Sequence, residues 1–389
     1  MAKENATSPS NKIVLKPGMR VGYPAAEDDL ELLRECFLDS GALSQVLDVN
    51  DPGSVVLGRT GSGKSAILIH IRETQDHVIT INPSDLALNY ISSSTILRFF
   101  DSLGVQFDLF FRLLWRHVLC VELLNYHYKV RKKGDFEKVV EGLHVIFGQA
   151  QSKRLALEYL SEWGSHFWEQ SQERIKELVE KFEDQLKAGV NLTTVGAAID
   201  IGASTKIESS KKTEIVEQAT KVVNTIQIKK LSTLMDLMSK DIFTDDQRRY
   251  YVVIDQLDDS WVEDGLRYKL IRALIETVKD FKKVDNVKIL IAMRTDLLER
   301  VYKFTRDSGF QEEKYEALNV PVRWSRNNLF ELIDKRVSWA FKKKYTKDSV
   351  HFYDIFERNY RQTGDVFDYI VNRTQMRPRD IIAFINLVF

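Results

Sequence analysis

The residues whose spacing speaks most directly of chemistry are Gly58, Arg59, Thr60, Gly61, Ser62, Gly63, Lys64 and Ser65, which fit G-x-x-x-x-G-K-[ST] in full. Glycines at these places let several peptide N–H groups face one point. A nest of that kind, ending at a helix N-terminus, binds an oxyanion. Lys64 would then reach β- and γ-phosphate oxygens, and the Ser65 hydroxyl would ligate Mg2+. The apolar run 54–57 leads in as a strand, and the run from Ala66 continues as a helix. The competing reading is a Gly-rich turn with a surface lysine.

A phosphate loop of this type needs an acidic residue on a neighbouring strand to hold the metal. Residues 251–254 are apolar and Asp255 follows them, as a Walker B element requires. The next position is Gln256, whose amide can orient water but cannot take its proton at neutral pH. Asp258 and Asp259 lie close by; Asp258 is the preferred general base, and helix N-capping is the competing role for both. Arg294 closes another apolar run and is a candidate γ-phosphate sensor, with a surface ion pair as its alternative. Arg377 and Arg379 flank Pro378 at the start of the last helix, where a guanidinium matches phosphate oxygens bidentately. Capping and ion pairing compete there too.

These residues need elements to place them. Short apolar runs at 54–57, 77–81, 250–254 and 287–293 read as strands, and 319–322, interrupted by Pro321, as an edge strand. Alternation with helical stretches implies an α/β fold with a parallel sheet covered on both faces. Residues 27–37 read as one helix with Leu30, Leu33 and Phe37 on a common face, and Thr295 or Asp296 as the cap of the helix after 287–293. Between the second and third strands, 84–150 and 155–187 read as helices; 195–207 alternate at period two, and 215–242 return to helical spacing. An arm with a β-element at its tip is expected, against accessory helices packed on the sheet. The expected division is a disordered tail over 1–19, a first core segment over 20–83, a mostly helical insertion over 84–244, a second core segment over 245–325 and a helical lid over 326–389.

Composition narrows the classes. The chain has 389 residues, 44% of them apolar, with 56 Lys+Arg against 56 Asp+Glu, so it can bury a core and carries no net charge for binding nucleic acid by bulk electrostatics. No run approaches a membrane span of roughly 18 apolar residues, and the first residues lack the apolar centre of a secretory signal. Two cysteines make neither a disulfide framework nor a thiolate metal site, so a cytoplasmic location is expected.

Together the motifs resemble bacterial P-loop ATPases of the AAA+/STAND superfamily. The resemblance lies in GRTGSGKSA at 58–66, IDQLDD at 254–259, MRTD at 293–296, RPRDIIAFIN at 377–386 and the lead-in GYPAAEDDLELLRECF at 22–37. IDQLDD is similar to the acidic motif of KAP-type NTPases, with Asp255 and Asp258 matching and Gln256 departing from it. The resemblance implies a three-layer αβα P-loop NTPase core, ATP with Mg2+ as ligands, a C-terminal helical lid and homo-oligomeric assembly. It also implies an arginine finger, with Arg300, Arg306, Arg323 and Arg326 as undistinguished candidates, and an effector or partner protein gated by nucleotide state, as in antiphage defence and mobile-element loci. The expected function is an ATP-hydrolysing switch. The alternatives are a nucleic-acid motor or loader, a small-molecule kinase, disfavoured by the long insertion, and a scaffold without turnover. The motor reading draws on 323–347, where eight Lys/Arg face only Glu331 and Asp334 among Trp324, Trp339, Phe341 and Tyr345.

Overall fold

The computed structural model describes residues 18–86, 88, 91, 93–147, 151–162, 171–190, 209–225, 228–306, 312–344, 349–359 and 364–389. The tail expected over 1–17 and the alternating segment 195–207 lie outside them.

Five strands form one parallel sheet: β1 (Val55–Gly58), β2 (His77–Ile81), β3 (Tyr250–Ile254), β4 (Val287–Arg294) and β5 (Asn319–Pro321), in the order β2-β3-β4-β1-β5. The fold is α/β, as the alternation of strand and helix runs implies. The three inner strands are buried almost throughout, whereas β2 and β5 are mixed. Parallel strands covered on both faces read as near-continuous apolar runs, a demand that is relaxed at the edges. Pro321 closes β5 at such an edge, where its missing N–H breaks no ladder. Register runs from His77 opposite Tyr250 to Ile81 opposite Ile254, and from Tyr250 opposite Val287 to Ile254 opposite Ile291. Asp255 and Arg294 therefore both leave the sheet at its carboxyl edge.

By packing, the chain divides into two units. One comprises the residues up to Leu43, Gly58–Thr74 and Pro321–Phe389; the other comprises Ser44–Leu57 and Gln75–Val320. The glycine-rich motif and the C-terminal helices thus belong to one unit, and most of the sheet to the other.

The first unit contains α1 (Leu30–Cys36) and, after α2 (Leu43–Leu47) has begun, α3 (Lys64–Thr74). The helix expected over 27–37 is broken: a 3-10 turn spans Ala26–Asp28, α1 starts after it, and Leu30 is exposed while Leu33 and Cys36 are buried. The break turns Asp29 inward, where it forms a buried ion pair with Arg336 at 2.5 Å and accepts from Tyr23 N at 2.9 Å.

In the sheet-bearing unit, α4 (Thr95–Leu103) and the long α5 (Asp108–Tyr128) are followed by α6 (Lys133–Phe147), α7 (Gln151–Glu162), α8 (Ser171–Gly189), α9 (Ser209–Thr225) and α10 (Ile228–Leu237). Helix α5 packs on α11 (Asp264–Phe281). There the buried Trp115 donates to Leu270 O at 2.9 Å, and Arg112 and Arg116 pair with Asp280. The stems on either side of 195–207 share this core: Phe182 of α8 stacks on Phe110 at 3.9 Å between ring centroids, and Ile215 and Ala219 of α9 are buried in the same cluster. Gly189 abuts Val222 so closely that no side chain fits there. Helices α12 (Thr295–Thr305) and α13 (Glu313–Glu316) complete the unit.

The C-terminal part of the first unit is α14 (Arg326–Lys344), α15 (Phe352–Ile355), α16 (Val366–Arg373) and α17 (Pro378–Val388). Leu329, Ile333, Val337, Phe341, Phe367, Ile381 and Ile385 form its core, joined by Met19 and Val21. The lead-in 20–24 is clipped onto this core by its backbone. Val21 N donates to Asn386 Oδ1 at 2.9 Å, Asn386 Nδ2 donates to Gly22 O at 2.8 Å, and Arg336 donates to Val21 O at 3.2 Å. Gly22 sits at φ +126°, and a side chain there would collide with Arg336 and Asp29. Among the described residues no helix is long and apolar enough to cross a membrane.

Candidate phosphate-binding site

Strand β1 ends at Gly58 and α3 begins at Lys64, so the motif forms a short loop opening directly into a helix. Gly61 and Gly63 have φ of +78° and +97°, in the left-handed region that side chains resist. A side chain at Gly58 would run into the buried Ser62. Ser62 N donates to Arg59 O at 3.2 Å and closes a turn, and Lys64 Nζ bends back to Gly58 O at 3.0 Å and Arg59 O at 3.1 Å. Ser65 and Ala66 lie in the first turn of α3.

The next three carbonyls of the loop all accept from the C-terminal part of the same unit. Arg377 Nη1 donates to Thr60 O at 3.4 Å, Arg379 N to Gly61 O at 3.4 Å and Trp324 Nε1 to Ser62 O at 2.8 Å. Gln375 and Met376, at φ of 51° and 55°, turn the chain sharply before α17 and deliver Arg377 and Arg379 to the loop. Arg377 is also paired with Asp380, with Nε at 2.6 Å from Oδ2, and Arg379 Nε reaches Pro24 O at 3.3 Å. The structure therefore brings Arg377 and Arg379 together with the glycine loop. It adds Trp324, which carried no distinguishing signal: an aromatic residue after an edge strand reads equally well as core.

In the other unit, Asp255 follows β3, and Gln256 takes the left-handed φ of 61° with its N–H donating to Asp255 Oδ1 at 2.8 Å. Asp259 N closes a turn onto Gln256 O at 3.2 Å. Neither Asp258 nor Asp259 caps a helix: α11 starts at Asp264 with Glu263 at its N-cap, and the carbonyls of both aspartates accept from the buried Arg267 at 3.3 and 2.8 Å. The capping alternative is corrected on that ground. Asp258 keeps its carboxylate half-exposed, 3.9 Å from Arg294 Nη1. Arg294 makes a bidentate pair with Asp296 at 2.9 and 2.8 Å, which lowers the carboxyl pKa of Asp296 and raises that of the guanidinium. Arg294 itself occupies the N-cap of α12 without a side-chain cap, so the capping expected of Thr295 or Asp296 is absent; Asp296 bonds Arg294 instead.

The basic run 323–347 carries less free charge than its composition implies. Arg326 pairs with Asp365 and Asp368, Lys335 with Glu331, and Arg336 is buried against Asp29. Phe341 is core, while Tyr345 and Lys347 lie outside the described residues. Of the finger candidates, Arg300 lies 3.5 Å from Asp296. Both cysteines are free and buried, and burial pushes the Cys36 thiol up to about 11.

Residues 327–389 match the FunZ-associated C-terminal helical domain, which spans α15, α16, α17 and nearly all of α14. The whole chain is 21% identical over 394 residues to the "Putative transposon gamma-delta 80.3 kDa protein" of Escherichia coli (strain K12). That alignment covers 99% of this chain and 47% of the relative, so the chain spans about half the length of the curated protein it matches. No solved structure matches.

Proposed function

We propose that this chain is an ATP-binding, Mg2+-dependent ATP hydrolase of the P-loop class that works as a switch on a partner protein. The observation that carries the reading is the Gly58–Lys64 loop, with Gly61 and Gly63 in left-handed conformations, opening into α3 and flanked by Arg377 and Arg379. Gly61 and Gly63 N–H and the α3 N-terminus supply dipoles for phosphate oxygens, and Lys64 an ammonium. The hydroxyl of Ser65 and, in the other unit, the carboxylate of Asp255 are each hard oxygen donors of the kind that Mg2+ takes beside phosphates and water. Bound Mg2+ would neutralise charge building on the β- and γ-phosphate oxygens. By the motif resemblance, Gln256 would orient the attacking water, Asp258 would accept its proton and Arg294 would leave Asp296 for a phosphate oxygen; beside the glycine loop, Arg377 would do the same from Asp380.

Homo-oligomeric assembly, an effector protein and a role tied to mobile elements or antiphage defence belong to the same proposal. Their support is the motif resemblance, together with a relative whose name refers to a transposon. Hydrolysis by wild type and Lys64→Ala is the direct test: Lys64→Ala should lose at least 100-fold in rate, on the scale of a removed electrostatic contact, and equal rates would remove the assignment.

A further inference from the structure

We infer that Trp324 is a positioning residue for phosphate binding, locking the Ser62–Gly63 peptide so that Gly63 N–H faces the anion. The inference rests on the reading of the loop as a nucleotide site. A peptide is planar and trans, so its C=O and N–H point in opposite directions. Fixing the carbonyl of Ser62 fixes the N–H of Gly63, and fixing that of Thr60 fixes the N–H of Gly61. Glycine backbones at φ of +78° and +97° have other wells open at little cost, so a loop built on them needs outside bonds to hold one arrangement. The N–H of Ser62 is committed to Arg59 O, while those of Gly61 and Gly63 belong to the peptides whose carbonyls Arg377 and Trp324 hold.

The two restraints on those donors differ. Arg377 reaches Thr60 O at 3.4 Å from a guanidinium that also pairs with Asp380. Trp324 reaches Ser62 O at 2.8 Å from a rigid ring whose single donor is the indole N–H. The ring also packs beneath the glycine: its Cζ2 lies 3.7 Å from where a Gly63 side chain would begin. An accepted hydrogen bond on the carbonyl further polarises the N–H of the same peptide toward an anion. Trp324 lies two residues before α14, whose N-terminal Arg326 is paired with Asp365 and Asp368. The direction of one phosphate-facing N–H is thereby set from the C-terminal helices.

The test compares full-length wild type with Trp324→Phe, which keeps an aromatic ring and loses the indole donor together with the Cζ2 contact on Gly63. Trp324→Tyr serves if the first variant fails to fold. Binding of a fluorescent ATP analogue with Mg2+, steady-state hydrolysis, the thermal midpoint and indole emission are measured. The expected result is a Kd and KM raised about five- to tenfold, kcat within about twofold and an unchanged midpoint. The wild type should show a nucleotide-induced emission change that the variant lacks. A purely structural role would instead lower the active fraction and leave KM unchanged. Wild-type affinity in the variant, with nucleotide binding intact in the wild type, overturns the role of Trp324 alone. Absence of nucleotide binding by the wild type overturns the site and this role together.

Discussion

Lys288 shows how far a single residue departs from what its strand dictates. It is buried near the start of apolar β4, where its ammonium donates to Asp48 O at 2.8 Å and Asp51 O at 2.6 Å beside a cavity of about 120 Å3. Burial pulls its pKa down to about 8, and the carboxylates of Asp51 and Asp48 oppose that shift only in part. The folded state therefore disfavours the cation: the cost is fully present below pH 8 and is relieved as pH rises toward the unfolded value near 10.5. Relative to Lys288→Met, the wild type should gain on the order of 3 kcal/mol in unfolding free energy between pH 8 and 10.5, read by denaturant titration. A flat difference would mean that the ammonium is hydrated. Asp258 yields a second residue-level expectation. Asp258→Asn should bind nucleotide as wild type does and hydrolyse it about 100-fold more slowly; normal hydrolysis would place the base elsewhere.

At the scale of elements, the lead-in is held by polar contacts to α14 and α17, and the buried pair Asp29–Arg336 is the most exacting of them. Arg336→Met leaves Asp29 without its cation in a closed site, which should cost about 3–5 kcal/mol. A loss under about 1 kcal/mol in chemical denaturation would show that water reaches Asp29. None of this was legible beforehand. The acidic run before α1 read as a helix start, because pattern reports which residues recur and not which carboxylate will turn inward. The five strands, by contrast, were legible to within a residue or two, since near-continuous burial keeps β1, β3 and, apart from Lys288, the body of β4 apolar. The glycine loop was legible because few sequences meet its spacing. The bonds of Trp324 and Pro24 to the loop and Arg379 are long-range in sequence and left no periodicity to read.

For the whole molecule, the zero net charge conceals a division that the pairing sharpens. Several cations of the C-terminal region are already matched by acids of the same unit, so the basic run 323–347 offers less free charge to a partner than its composition implies. If ATP nevertheless drives association, light scattering should show a mass increase with ATP and Mg2+ that Lys64→Ala lacks; one mass in all conditions would remove assembly from the proposal. The unit that holds the glycine loop is made of three separated stretches of chain, with some 250 residues of the other unit between the second and third. During synthesis, the loop emerges from the ribosome long before Trp324, Arg377 and Arg379 are translated. The loop thus passes through a period in which its carbonyls have no C-terminal donors, and the shape described above is completed only when the last stretch arrives. A nascent chain exposes the motif early and acquires the clasped loop late, which delays that arrangement of the loop until the C-terminal helices exist.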